Sequence, residues 1–258
     1  MNLSLKNNCF LICGAASGFG RAIAEALLSE GAEVIVTARR KEELDKIAAI
    51  APDRVKAIAA DLFKEEDQDA LLNQIDLHRL SGAVINAGGP PAKSFLETEM
   101  EDWDNAYVSL VKWKVRLVKK ILPALIENKY GRLVFVESKS VKQPVENLVL
   151  STSMRLAVVG FVKTLSQEVA HHGITLNIMA PGYHDTPAMQ RIFEKKAAVN
   201  NSTVAEARKE IENELPLGKM GDPANFAQMA LLLLSPNSSF INGQTISVEG
   251  GLIKGIFG

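Results

Sequence analysis

The densest chemical signal in the chain is Cys13-Gly14-Ala15-Ala16-Ser17-Gly18-Phe19-Gly20, with glycines spaced G-x-x-x-G-x-G. It follows a short apolar run and opens an amphipathic one, which places it at a strand-to-helix turn. Such a turn bends tightly and lets backbone N–H groups approach a pyrophosphate. Side chains at those glycines would block the approach, and the positive end of the helix favours the negative charge. Gly14, Ser17, Gly18, Phe19 and Gly20 are therefore candidate cofactor-binding residues. The next strand ends at Thr37-Ala38. An NAD(H) site would carry Asp or Glu there for the ribose 2′-hydroxyl; here the position is small and neutral, and Arg39 and Arg40 follow. Arginine pairs with a 2′-phosphate, so NADP(H) is favoured over NAD(H).

Metal and thiol chemistry have no comparable support. Cys9 and Cys13 lie in one apolar run. On a strand they would stand ~13 Å apart, beyond the ~7 Å that a disulfide spans. There is no C-x-x-C or H-E-x-x-H, so no metal site is expected. Two unpaired thiols suit a reducing compartment, and the expected location is cytoplasmic.

The elements that must position these residues are legible as periodicity. Seven short apolar runs read as strands: 9–13, 33–37, 55–60, 82–86, 132–137, 175–180 and 244–249. Helical patterns lie between them: Gly20 to Leu28 closed by Gly31, Lys41 to Ile50, a long helix from a Thr98–Glu101 capping box towards Ile126, Leu150 to Ala170, and a helix after Asp222-Pro223. This alternation predicts one α/β domain over 1–258, Rossmann-type and doubly wound, with a seven-stranded parallel sheet and helices on both faces. Residues 183–218 carry two charged helical patterns after a Pro-Gly turn and read as a lid over the strand ends.

Composition narrows the class. The 258 residues hold 29 Lys+Arg and 30 Asp+Glu, for a net charge of −1, with 47% hydrophobic and 23% charged residues. That is ordinary globular usage, not disorder. The charge balance argues against nucleic acid as a partner. The apolar run at the N-terminus is broken by Asn7-Asn8, and Met229–Leu234 falls short of a membrane span of ~20 residues, so no membrane partner is expected.

With these motifs in their order, the chain resembles the short-chain dehydrogenase/reductase family over its whole length, and within it a divergent subgroup of 3-oxoacyl-[acyl-carrier-protein] reductase-like sequences. The glycine turn matches the family's cofactor turn, with Cys13 in place of its usual Thr. Asp61-Leu62 matches the pair beside the adenine. Asn86-Ala87-Gly88 matches the end of the Asn-Asn-Ala-Gly motif, with Ile85 at its first position. Asn177, Pro181-Gly182 and Thr186 match the stretch that caps the nicotinamide and binds its carboxamide. Read singly, Asp61 is equally a helix N-cap, Asn86 a tie between strands and Pro181-Gly182 a turn.

The resemblance implies a catalytic relay of Asn, Ser, Tyr and Lys, with Tyr and Lys one helical turn apart on one face. Ser138 falls at the Ser position. The Tyr position is Ser151, the Lys position is Arg155, and the Asn position is Leu110. The tyrosines are Tyr107, Tyr130 and Tyr183, and none is followed four residues later by Lys. A serine hydroxyl is too weakly acidic to replace a tuned phenol, a positioned acid being worth ~10²–10⁴ in rate. Arg155 does not titrate, yet it can donate to ribose hydroxyls and so joins the cofactor candidates. Tyr183, His184, Lys139 and Lys142 are conceivable replacement acids, read here as residues of solvent-facing loops, and His171-His172 as a structural helix end.

The resemblance also implies self-association as a dimer or a homotetramer, through the helices near 99–126 and 150–170 and the chain end, where Leu252, Ile253, Ile256 and Phe257 are apolar. Lys129 and His172 are too few to claim an acyl-carrier-protein partner. The expected function is an NADP(H)-dependent oxidoreductase acting on a small carbonyl or alcohol with an atypical catalytic set; the alternative is a catalytically weak or inactive NADP(H)-binding sensor or non-catalytic subunit of a mixed complex.

Overall fold

The expected strands all form: β1 (Cys9–Cys13), β2 (Glu33–Ala38), β3 (Val55–Ala59), β4 (Leu80–Asn86), β5 (Gly131–Val136), β6 (Ile174–Pro181) and β7 (Thr245–Val248). The computed structural model describes residues 2–256, so Phe257 lies outside the described residues. The strands pair in parallel in the order β3-β2-β1-β4-β5-β6-β7. Every residue of β1, β5 and β6 is buried, as a sheet covered on both faces requires.

The helices are α1 (Gly18–Ser29), α2 (Lys41–Ala48), α3 (Glu65–Leu72), α4 (Met100–Tyr107), α5 (Trp113–Glu127), α6 (Val149–Glu168), α7 (Pro187–Asn200), α8 (Val204–Glu214) and α9 (Pro223–Leu234). One face of the sheet packs on α1, α2 and α9 through Ile23, Leu27, Leu44 and Phe226. The other packs on α3, α5 and α6 through Leu71, Leu117, Val158 and Val162. β1 has β2 on one side and β4 on the other. Chain order reverses there, and ligands of such sheets bind in the crevice beyond those strands' C-terminal ends.

Several local expectations are corrected. Helix α1 begins at Gly18, with Ser17 as its N-cap. The Thr98–Glu101 box does not form. Glu99 caps α4 with Asp102, and a separate box of Ser94 and Glu97 opens the 3₁₀ turn before it. The long helix is interrupted by a π-helical turn at Val108–Lys112, which contains the buried Leu110. Helix α3 has no counterpart among the expected elements. Asp61 does not cap it: the N-cap is Lys64, and Asp61 accepts a bond from the Phe63 N–H at 3.2 Å. Asn177 lies buried in β6 and ties the sheet to the β7 approach, bonding Ile241 O at 2.7 Å and the Gln244 N–H at 3.0 Å.

The two charged patterns after Pro181-Gly182 are helices α7 and α8. They pack on each other through Met189, Phe193, Ala207 and Ile211, an apolar cluster separate from both sheet faces. Arg208 of α8 holds Asp185 at 2.8 Å. By length and composition α6 could cross a membrane; here it lies against β6 and buries Ser151 and Arg155.

Candidate active site

The crevice at the β1/β4 switch is built by close approach. Gly14 has φ +65°, and a Cβ there would lie 2.7 Å from the Asn86 carbonyl oxygen and 2.8 Å from its Nδ2. A Cβ on Gly20 would lie 2.4 Å from the Gly14 carbonyl oxygen, so the turn has room only for hydrogen at either place. Across the crevice, a Cβ on Gly18 would come 3.5 Å from Thr186 Cγ2. The glycine turn, the end of β4 and the loop after β6 therefore meet. The turn leads straight into the N-terminus of α1, which suits a bound phosphate. The cradle fits a dinucleotide, because glycine lets the turn fold tightly on itself and against Asn86 and so brings backbone and the start of α1 to the crevice.

At the outer rim a cleft of about 360 Å³ is lined by Ser17, Gly18, Arg21, Arg40, Glu43 and Asp185. Arg21 is engaged by Glu25 at 2.8 Å and by Glu43 at 3.5 Å. Arg40 is exposed and reaches Ser17 Oγ at 3.5 Å, and among the described residues it makes no ion pair. Arg39 beside it is exposed. Asp61 and Leu62 stand just beyond β3, Leu62 buried and Asp61 half-buried. Asn86 and Ala87 are half-buried at the end of β4, and Gly88 is exposed. Pro181 ends β6, and Gly182 presses on the backbone of Glu249, 2.7 Å from where its Cβ would be.

Ser151 and Arg155 sit one turn apart on α6, and Arg155 Nε donates to Ser151 Oγ at 3.1 Å. Both belong to a buried network that the sequence did not disclose. Arg155 Nη1 bonds Glu137 Oε2 at 2.9 Å. The other Glu137 oxygen accepts from Lys114 Nζ. Side-chain exposure is 0% for Lys114 and Glu137 and 7% for Arg155. A Cβ on Gly89 would lie 3.3 Å from Arg155 Nη2, so the segment after β4 covers the guanidinium. Ser138 follows Glu137, and its Oγ accepts from the Ser140 N–H at 3.2 Å. The structure thus gathers Ser151 and Arg155 into one network and sets Ser138 at its edge.

The model of the family described as enoyl-(acyl carrier protein) reductase matches residues 14–253. The chain belongs to the short-chain dehydrogenase/reductase family. It is 29% identical over 97% of its length to a 3-oxoacyl-[acyl-carrier-protein] reductase of Vibrio cholerae, covering 99% of that protein. Among solved structures it resembles an actinorhodin polyketide ketoreductase with NADPH, at 28% identity and TM-score 0.89 over 96% of this chain and 98% of the other. It also resembles the L-sorbose reductase of Gluconobacter frateurii complexed with NADPH and L-sorbose, at 25% identity and TM-score 0.92 over 99% of this chain and 100% of the other.

Within that short-chain dehydrogenase/reductase frame, one carboxylate faces two buried cations. With all three groups ionised, the network would carry one positive charge in excess. Burial holds the Lys114 ammonium below the usual lysine range, against the pull of Glu137, and the Arg155 charge pushes the same way. Both thiols are buried and free. Burial pushes Cys13 up to about 12, and Cys9, with Glu33 adding to burial, up to about 11.

The solvent-facing reading is overturned for His184, which is buried; Tyr183 and Lys139 are half-buried and Lys142 is exposed. His184 is buried between Phe19 and Phe226, with ring centroids 5.1 and 5.3 Å away, and burial lowers its pKa. Lys139 Nζ stands 4.3 Å over the Tyr183 ring. Burial raises the Tyr183 phenol, away from neutrality, and lowers the Lys139 ammonium.

Lys114 and Glu137 were missed because charged residues are read as solvated. One signal was available: Lys114 falls at helical spacing in the apolar stripe Leu110, Leu117, Val118, Ile121.

Proposed function

We propose that the chain is an NADP(H)-dependent oxidoreductase that reduces a carbonyl or oxidises the matching alcohol, in the manner of the 3-oxoacyl-[acyl-carrier-protein] reductases it resembles, with an atypical catalytic set. The observation that carries this reading is the meeting of the Gly14–Gly20 turn, Asn86 and Thr186 in one crevice at the strand-order reversal. Gly14, Ser17, Gly18, Phe19 and Gly20 would cradle the pyrophosphate, Arg39 and Arg40 the 2′-phosphate, and Asp61-Leu62 the adenine. Asn86-Ala87-Gly88, Pro181-Gly182 and Thr186 would hold the nicotinamide end, with Arg155 on its ribose. When bound, the nicotinamide supplies or accepts the hydride. Ser138 and Ser151 are the hydroxyls offered to a substrate oxygen, and Arg155 holds Ser151 oriented by donating to it. The NADPH found with two of the similar reductases supports the phosphate reading.

The whole chain acts as one domain, with α7 and α8 as the substrate lid. We place it in the cytoplasm, in keeping with its two free thiols, and expect a dimer or tetramer. A second reading is nucleotide binding without turnover. It draws on the absence of any Tyr-x-x-x-Lys and on Ser151 Oγ being engaged by Arg155.

Parallel fluorescence titrations with NADPH and NADH test the main reading, followed by a carbonyl panel. Expected are NADPH binding at least ~10-fold tighter than NADH, the scale of a charge-assisted contact, and NADPH oxidation that Ser138→Ala abolishes. Binding without oxidation across the panel would support the second reading, and binding of neither nucleotide would refute both.

A further inference from the structure

The excess charge of the buried network has a defined place. The charged and titratable groups that face Lys114 are Cys13 at the end of β1, Glu137 beyond β5 and Arg155 from α6. Arg155 of the same network lies under the segment that follows Asn86-Ala87-Gly88, a Cβ on Gly89 standing 3.3 Å from its Nη2, and Glu137 joins it to Lys114, so the network borders the end of the crevice assigned above to the nicotinamide. Two cations share one carboxylate there, away from water. A buried positive charge interacts over several ångströms with little screening. On the reading that this crevice holds a nicotinamide, a neutral reduced ring adds no charge to the network, whereas an oxidised ring brings a second uncompensated positive charge.

We propose that the protonation of Lys114 is coupled to the oxidation state of the bound nicotinamide: the ammonium persists beside the reduced ring and gives up its proton when the ring is oxidised. Arg155 cannot make this adjustment, because guanidinium does not deprotonate in proteins. Lys114 can, since burial already weakens its hold on the proton. Without the proton, Glu137 and Arg155 remain as a neutral pair. The stoichiometry matches carbonyl reduction. Reduction of a carbonyl by a bound NADPH would leave its ring positive, with one proton taken up from solvent by the product oxygen. Lys114 would release one proton to solvent as the ring is oxidised, so the buried charge of network plus ring stays the same, and it would take one back from solvent when the oxidised cofactor departs. Lys114 thereby balances charge from the border of the site without touching the substrate.

Proton counting during binding tests this without turnover. NADPH and NADP⁺ are titrated calorimetrically into the full chain at pH 8, each in two buffers of different ionisation enthalpy. The 2′-phosphate is common to both nucleotides and cancels in the difference. Linkage predicts that NADP⁺ binding releases more protons than NADPH binding, the difference approaching one per chain at ~1. Lys114→Arg keeps the charge and cannot release it, so the difference should vanish while NADP⁺ weakens relative to NADPH by about tenfold. Lys114→Met removes the charge, so the difference should vanish while the affinity ratio moves the other way. Equal proton release in the wild type, or a difference that survives in either variant, overturns the coupling. Failure of both nucleotides to bind overturns the cofactor reading itself, and the coupling with it.

Discussion

His184 shows how one enclosed ring makes stability depend on pH. Its Nδ1 faces the Gly182 carbonyl oxygen at 3.3 Å, and Phe19 and Phe226 close round it. Burial depresses its pKa in the folded state, so the unfolded chain binds the proton more readily, at an ordinary ~6.5. Where the unfolded state holds more protons, stability rises with pH. The folded protein should therefore lose stability as pH falls through ~6.5. Urea midpoints at pH 7.5 and 5.5 check this: the drop in the wild type should shrink in His184→Gln. At this scale the sequence was only partly readable. Gly14, Gly18 and Gly20 announced themselves because backbone space is a property of residue type. Burial is not, so His184 passed for a solvent-facing residue and Glu137 for the polar end of a strand.

Among the elements, the glycine turn is the most sensitive to a single atom. A Cβ on Gly20 would meet the Gly14 carbonyl oxygen at 2.4 Å, backbone against backbone, with no side chain able to swing away. Gly20→Ala should destabilise by about 1–3 kcal/mol, the usual range for overpacking. NADPH affinity should fall by more than ~10-fold, because the turn must open away from the phosphates. Thermal melting and the NADPH titration read the two effects separately. Gly88→Ala, with nothing within 4 Å of an added Cβ, serves as the comparison. Strands were legible because their runs are short and mainly apolar, and α9 because Asp222-Pro223 spells its start. Helix α3 was not, since Glu65-Glu66-Asp67-Gln68 carries no apolar period. Nor was the π turn at Val108–Lys112, which is a hydrogen-bonding choice made where the long helix swings Lys114 inward.

For the molecule as a whole, α6 leaves an outward strip of Leu156, Ala157 and Gly160, with Leu156 45% exposed and open space beside Gly160. Tyr107 at the end of α4 is also exposed. Light scattering should give two or four times the 28.0 kDa chain mass, and Leu156→Glu should shift the population towards the single chain. A wild-type single chain at micromolar concentration would count against assembly. The Lys114–Glu137–Arg155 network bears on descent as well as on chemistry. Glu137 answers two cations at once, so an ancestor or an engineer moving between this arrangement and the family's Tyr–Lys pair cannot change one partner in isolation. Removing one partner of a buried ion pair typically costs about 3–5 kcal/mol. The two arrangements therefore lie on separate peaks, and the passage between them requires substitutions that arrive together or a scaffold with stability to spare.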